Sequence, residues 1–284
     1  MKKITILILF IASTIVSQTN TEVFLFDIKK TETGYELSNK KNISTNEGYD
    51  SQPHFYDNYA LLFASSRNGQ TDIVKYTIDT GIKEFINYSP EGGEYSPQPI
   101  PGTDDISAVR LDNTGLQRFY RYDINTGNSK EIIRNLEVAY PLWASNKLLF
   151  SAVIGEKSLE LVKSDLKNKT NVLLEKKIGR SLHCIPGTNS ISFISKKKPL
   201  WEIFSIDITT LTINKITNLD DNYEDIAWIS KDVVLQAKKN QLLQFNIKTD
   251  SVWKELINKD SLQIQNISRI TISPDRTKIA IVGE

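Results

Sequence analysis

Apolar and polar residues alternate along most of this chain in short stretches rich in Ile, Val, Phe, Tyr and Thr, bounded by Gly, Asn, Asp and Pro. Alternation of this kind predicts β-strands, because successive strand side chains point to opposite faces, whereas an amphipathic helix repeats every 3.6 residues. No long helical pattern follows the N-terminal segment. Two units recur. One is a strand that runs into an Asp or Asn turn, as in "IVKYTIDTG", "FYRYDINTG" and "EIFSIDITTLT", with its aligned turn residues at Asp27, Thr77, Asp123, Asp165, Asp207 and Asn246. The other is a short segment leading through a turn into an apolar strand, as in "SQPHFYDNYALLFAS", "PQPIPGTDDISAVR", "YPLWASNKLLFSAV" and "HCIPGTNSISFIS". Each recurs about every 40–50 residues, a length that suits a four-stranded unit.

Six copies of each unit pair with one offset. The last copy of the second unit, "RITISPDRTKIAIV", has no strand-and-turn unit after it, and the first strand-and-turn unit, "VFLFDIKKTETG", has no partner before it. A closed ring resolves the offset, because the two chain ends then complete one sheet and leave no open edge at the seam. The prediction is an all-β, six-bladed β-propeller of four-stranded antiparallel blades. Its blades are expected at 46–90, 91–135, 136–177, 178–219 and 220–258, with a sixth made of 263–284 and 22–45. A string of separate small sandwiches is disfavoured, since pieces of about 40 residues rarely support a core of their own.

The N-terminus breaks the pattern. Met1, Lys2 and Lys3 precede an uninterrupted apolar run over 4–16 and then Ser17, the layout of a cleavable signal peptide. The run is shorter than the roughly 20 residues a membrane span needs. The expected division is a leader at 1–17 and one propeller domain at 18–284, exported to the periplasm or beyond, with no stable membrane insertion after cleavage. Cys184 is the single cysteine, so disulfides cannot hold the fold, and its apolar neighbours predict a buried, inert thiol. The 35 Lys+Arg against 34 Asp+Glu leave a net charge of +1, which provides no field for nucleic acid.

Candidate chemistry follows from rotational symmetry. Equivalent positions in six blades converge on the axis, so the aligned column Gln52, Gln98, Tyr140, His183, Asp225 and Arg269 should ring one mouth of the central channel. Arg67 should stand on a loop at the same face, and Tyr49 and Tyr95 should add stacking walls. The two histidines lie on different blades without a carboxylate cluster, so no catalytic zinc or iron site is expected; a calcium ion at Asp225 is the metal arrangement left open. The pairs Asp104-Asp105 and Asp220-Asp221 fall at predicted turns and read as loop residues, as does the run 196–198.

In "QPHFYDNYALLFASSRNGQTDIVKY" (52–76) and "ISPDRTKIAIV" (272–282), the chain resembles the WD-like propeller repeat of TolB and of prolyl-oligopeptidase-type enzymes. Pro53, Phe55, Ser66, Arg67 and Gly69 match one repeat of that pattern, and Ser273, Pro274 and Asp275 match another. The resemblance covers the propeller alone: neither the TolB N-terminal domain nor a Gly-x-Ser-x-Gly hydrolase elbow is present in the sequence. It implies a monomeric, non-catalytic binding or scaffold module that docks an envelope protein, a peptide or a small ligand on its axial face, with no cofactor. The alternative is a propeller enzyme of lactonase, lyase or esterase type with its site in the same funnel.

Overall fold

The computed structural model describes residues 20–32, 34–87, 92–257 and 262–284. The leader read at 1–17 lies outside these residues. Six four-stranded antiparallel sheets are arranged as the blades of a propeller. The innermost strands are Asp50–Phe55, Gly93–Pro99, Val138–Ser145, His183–Cys184, Ile226–Trp228 and Arg269–Ile272, and every blade falls within its expected span. In the sixth blade, Arg269–Ile272 pairs with Lys278–Gly283, which pairs in turn with Glu22–Lys30 and then Tyr35–Asn42. The two chain regions therefore share one sheet, as the offset in the repeats requires.

The alternating pattern explains how that seam holds. Along Glu22–Lys30, Val23 and Leu25 point toward blade one and pack with Leu61 and Phe63. Phe26 and Ile28 point the other way, toward Ala227 and Leu235 of blade five. A strand inside a propeller is covered on both faces, so both halves of its alternation are apolar. The Asp turns are structural: the Asp123 carboxylate accepts from the backbone N–H groups of Asn125 and Thr126 at 3.0 and 2.9 Å, and Asp165 and Asp207 repeat the arrangement. Gly127 closes the first of these turns at φ +70, where a Cβ would lie 2.6 Å from the Ile86 carbonyl oxygen.

Trp143 and Trp228 are buried between blades. Each indole N–H donates 2.8 Å to a serine hydroxyl on the preceding blade, Ser107 and Ser192 respectively. Both therefore serve packing. Among the described residues no helix is long and apolar enough to cross a membrane.

Candidate functional site

The innermost strands enclose an axial cavity of about 400 Å³. It runs from Gln52, Tyr140, Asp225 and Arg269, where the strands begin, to Pro101, Pro274 and Arg276 in the turns where they end. All six residues of the expected column line it, but not as one ring.

The Trp–Ser bonds fix the register. Ser107 and Ser192 pair across the sheet with Gln98 and His183. The corresponding positions in the other blades are His54 opposite Leu62, Leu142 opposite Phe150, Ala227 opposite Leu235 and Thr271 opposite Ala280. This set forms an inner layer. Two residues earlier lies the mouth layer: Gln52, Ser96, Tyr140, Ser181, Asp225 and Arg269. Gln52 and Ser96 share a left-handed backbone (φ 56 and φ 50), and each precedes a proline. Gln98 and His183 thus sit about 7 Å deeper than expected, two residues of strand rise. Blades one and two carry equivalent β-bulges in their first strands, between Ser51 and His54 and between Tyr95 and Gln98. Matching Pro53 to Pro99, rather than to Pro97, put Gln98 in the mouth column, and matching the Pro-Gly-Thr turns at Pro101 and Pro186 put His183 there with it.

At the mouth, the Gln52 side-chain carbonyl accepts from the Ser96 N–H at 2.6 Å, tying blades one and two. Across the ring Asp225 meets two guanidinium groups. Arg180 donates to its carboxylate at 2.7 and 3.3 Å, and Arg269 donates at 3.4 Å. Both arginines also donate to the Ser268 carbonyl, at 3.2 and 2.5 Å. Burial pushes the Asp225 carboxyl up while Arg269 and Arg180 pull it down. With its oxygens committed to guanidinium groups, Asp225 is not arranged as a calcium ligand, and no group of three or more His, Cys, Asp or Glu side chains among the described residues could hold a metal. Arg180 was not anticipated. It stands one residue before Ser181, the mouth position of blade four, and the correct layer would have pointed to it.

One layer down, His54 and His183 belong to the diametrically opposed blades one and four. Burial lowers the pKa of each to about 4, and the His54 charge further disfavours protonation of His183. Both imidazoles are therefore neutral near pH 7. His183 Nε2 lies 2.9 Å from the Ser181 hydroxyl, which also accepts from the Ile226 N–H at 3.3 Å. Gln98 donates to the Pro141 carbonyl at 2.6 Å. Cys184 corrects a second expectation: it is exposed and lines the channel, while partial dehydration pushes its thiol pKa up and keeps it protonated.

Tyr49 and Tyr95 meet edge to face, with ring centroids 6.2 Å apart at 64°. They wall a second cavity of about 360 Å³, beside the channel mouth, which shares Gln52, Ser96 and Tyr140 with it. Arg67 takes no part in either. Its guanidinium donates to Asp72 at 2.9 and 3.1 Å and covers the Phe85 ring at 3.7 Å, so the hairpin turn is held within its own blade. The lysine run is likewise paired: Lys196 with Glu224, Lys197 with Glu175 and Lys198 with Glu202. Asp105 pairs with Arg121 and Asp220 with Lys238, each at a loop, away from any facing carboxylate pair.

Solved structures share this fold. A TolB-type protein from Agrobacterium tumefaciens superposes with a TM-score of 0.70 at 14% identity, covering 93% of this chain and 98% of that one. The chain is similar in fold to TolB-like propellers. The Xanthomonas campestris protein XC5397, described as a gluconolactonase, gives a TM-score of 0.63 at 7% identity over 92% of this chain and 95% of that one. An oligogalacturonate lyase in complex with manganese gives 0.59 at 11% identity over 94% and 98%. No protein-family model matches the chain, and no curated protein matches it by sequence. At these identities the likeness is one of fold, shared by binding proteins and enzymes alike.

Proposed function

We propose that this propeller is an exported, monomeric, non-catalytic binding module that docks a peptide, a protein segment or a small ligand on its axial face. The observation that carries the reading is the convergence of Gln52, Tyr140, Asp225 and Arg269, with Arg180, on one cavity mouth beside an aromatic cleft. Such a concave site with a few oriented polar groups is the usual form of a ligand pocket. The TolB-like fold supports the same reading, as does the apolar leader at 1–17 for export.

A second reading, an enzyme in the same funnel, rests on the Ser181–His183 contact at 2.9 Å and on the lyase and gluconolactonase among similar folds. The pair is poorly matched to that task. An imidazole with a pKa near 4 is a weak base for a serine proton, and efficient proton transfer wants a pKa near the working pH. The Ser181 hydroxyl is also spent on the Ile226 backbone.

The test is capture from an envelope extract with the wild type and a Tyr140→Ala/Arg269→Ala variant, followed by reconstitution with each purified candidate. Loss of one defined partner in the variant is expected. Equal recovery of every partner would remove the axial face from consideration.

A further inference from the structure

The channel mouth and the Tyr49–Tyr95 cleft form one continuous surface with two chemistries. The charged side chains lining the axial cavity are Arg180, Arg269 and Asp225 at the mouth and Arg276 at the far end, and both histidines are neutral. Glu224 stands 3.7 Å from Arg180 and 3.0 Å from Lys196, so the charges at the mouth nearly balance and its selectivity rests on the guanidinium donors left unused. Arg180 is brought there from the loop before the inner strand of blade four, and Arg269 comes from blade six, so both guanidinium groups converge on Asp225 between them, with Glu224 on the far side of Arg180.

A guanidinium carries five N–H donors, and the bonds made to Asp225 and Ser268 use only some of them. Among the described residues, Nη1 of Arg180 and Nε and Nη2 of Arg269 have no hydrogen-bond partner. Each arginine is only partly exposed, 29% for Arg180 and 19% for Arg269, so an anion reaching them would meet donors that are already dehydrated and held by Asp225. Planar guanidinium donors suit a carboxylate better than a single point charge would.

The cleft beside them has another character. Tyr49 and Tyr95 present ring edges and faces, and Val109 and Leu111 supply aliphatic surface. Arg269 lies near enough to Tyr49 for its charge to act on the phenol, and Tyr140 borders both cavities. Such a wall fits an aliphatic or aromatic side chain better than a hydroxyl-covered sugar ring, which would demand polar partners.

Resting on the axial-face reading above, we infer that the ligand is a peptide whose carboxylate sits on Arg180 and Arg269 while a neighbouring apolar side chain fills the Tyr49–Tyr95 cleft. Asp225 is then a positioning residue that holds the two guanidinium groups when the site is empty.

The experiment uses the purified chain and three probes: N-acetyl-Ala-Leu-Phe with a free carboxylate, the same peptide as its amide, and galacturonate. Affinity is read by calorimetry, and location by quenching of Trp143 and Trp228, which line the channel. The free acid should bind at least tenfold tighter than the amide at low salt, with the gap narrowing at high salt. Arg180→Gln and Arg269→Gln should each shrink that gap, because the free acid loses more affinity than the amide; Arg180→Lys should retain part of it, which separates lost charge from lost folding. Tyr95→Ala should weaken both peptides alike. Equal affinity for acid and amide, no binding of either at millimolar concentration, or tighter binding of galacturonate would overturn the inference. If acid and amide bind equally and quench the channel tryptophans, carboxylate selectivity fails while the axial-face reading stands.

Discussion

Asp50 offers a sharp test of how the fold tolerates charge. The side chain is fully buried near the start of the inner strand of blade one, and among the described residues neither carboxylate oxygen has a partner in good hydrogen-bond geometry. Burial, aided by the nearby Glu22, raises its pKa from 3.8 to about 6; Ser65, Asn46 and Lys83 lie close enough to temper the rise. A carboxyl whose folded pKa is raised binds its proton more tightly when folded. Its cost is therefore absent below about pH 4, grows as the pH climbs toward 6, and is constant above that. A shift of roughly two units corresponds to about 3 kcal/mol at neutral pH. Asp50→Asn removes the titration while keeping the shape. Its stability relative to wild type should improve by about 2 kcal/mol between pH 4.5 and pH 7.5, a change on the order of 5 °C in relative melting temperature for a protein of this size. The assay is denaturant or thermal unfolding of both proteins at the two pH values. Because the readout is the change in their difference, any fixed cost of placing an amide there cancels. An unchanged difference, or one that moves against the variant as the pH rises, would show that Asp50 is not held as a strained carboxylate.

Other consequences follow. His54 and His183 have folded pKa values near 4, below the ordinary 6.5, so the stability they contribute is present above about pH 6.5 and lost as the pH falls toward 4. A His54→Gln/His183→Gln variant should be less acid-sensitive in that window, and imidazole resonances of the wild type should not titrate above pH 5.5. Trp143→Phe should destabilise by about 1–3 kcal/mol in urea unfolding, because the buried Ser107 hydroxyl loses its indole donor, and Trp228→Phe should do the same through Ser192. Removing 278–284 deletes the strand joining Arg269–Ile272 to Glu22–Lys30, so the ring should fail to close and the cooperative unfolding transition should disappear.

The ring was legible because each repeat writes the same alternation and the same turn, and because the unpaired units at the two ends fit together only in a shared blade. Turn chemistry is local, so Asp123, Asp165 and Asp207 announce their role in the letters that follow them. The layers of the channel were harder to read because the inner strand of blade two carries prolines at two depths, Pro97 and Pro99, and either can be aligned with Pro53. Pro53 follows the left-handed Gln52 and Pro97 follows the left-handed Ser96, each within a bulge, so Pro97 is the true match and aligning on Pro99 carried Gln98 into the mouth layer. His183 followed Gln98 through the shared Pro-Gly-Thr turns at Pro101 and Pro186, although the mouth position of its blade is Ser181, two residues earlier. Arg180 escaped notice for a different reason. It is defined by convergence, reaching Asp225 across a blade boundary 45 residues away, and such a contact leaves no mark in either neighbourhood. Arg67 erred in the opposite direction, matching a repeat pattern whose purpose here is to brace Asp72 and Phe85 within one blade. Repetition thus encodes the scaffold. The parts of the mouth that could distinguish one ligand from another, Arg180 with Asp225 and the Tyr49–Tyr95 pair, are those in which the six blades differ.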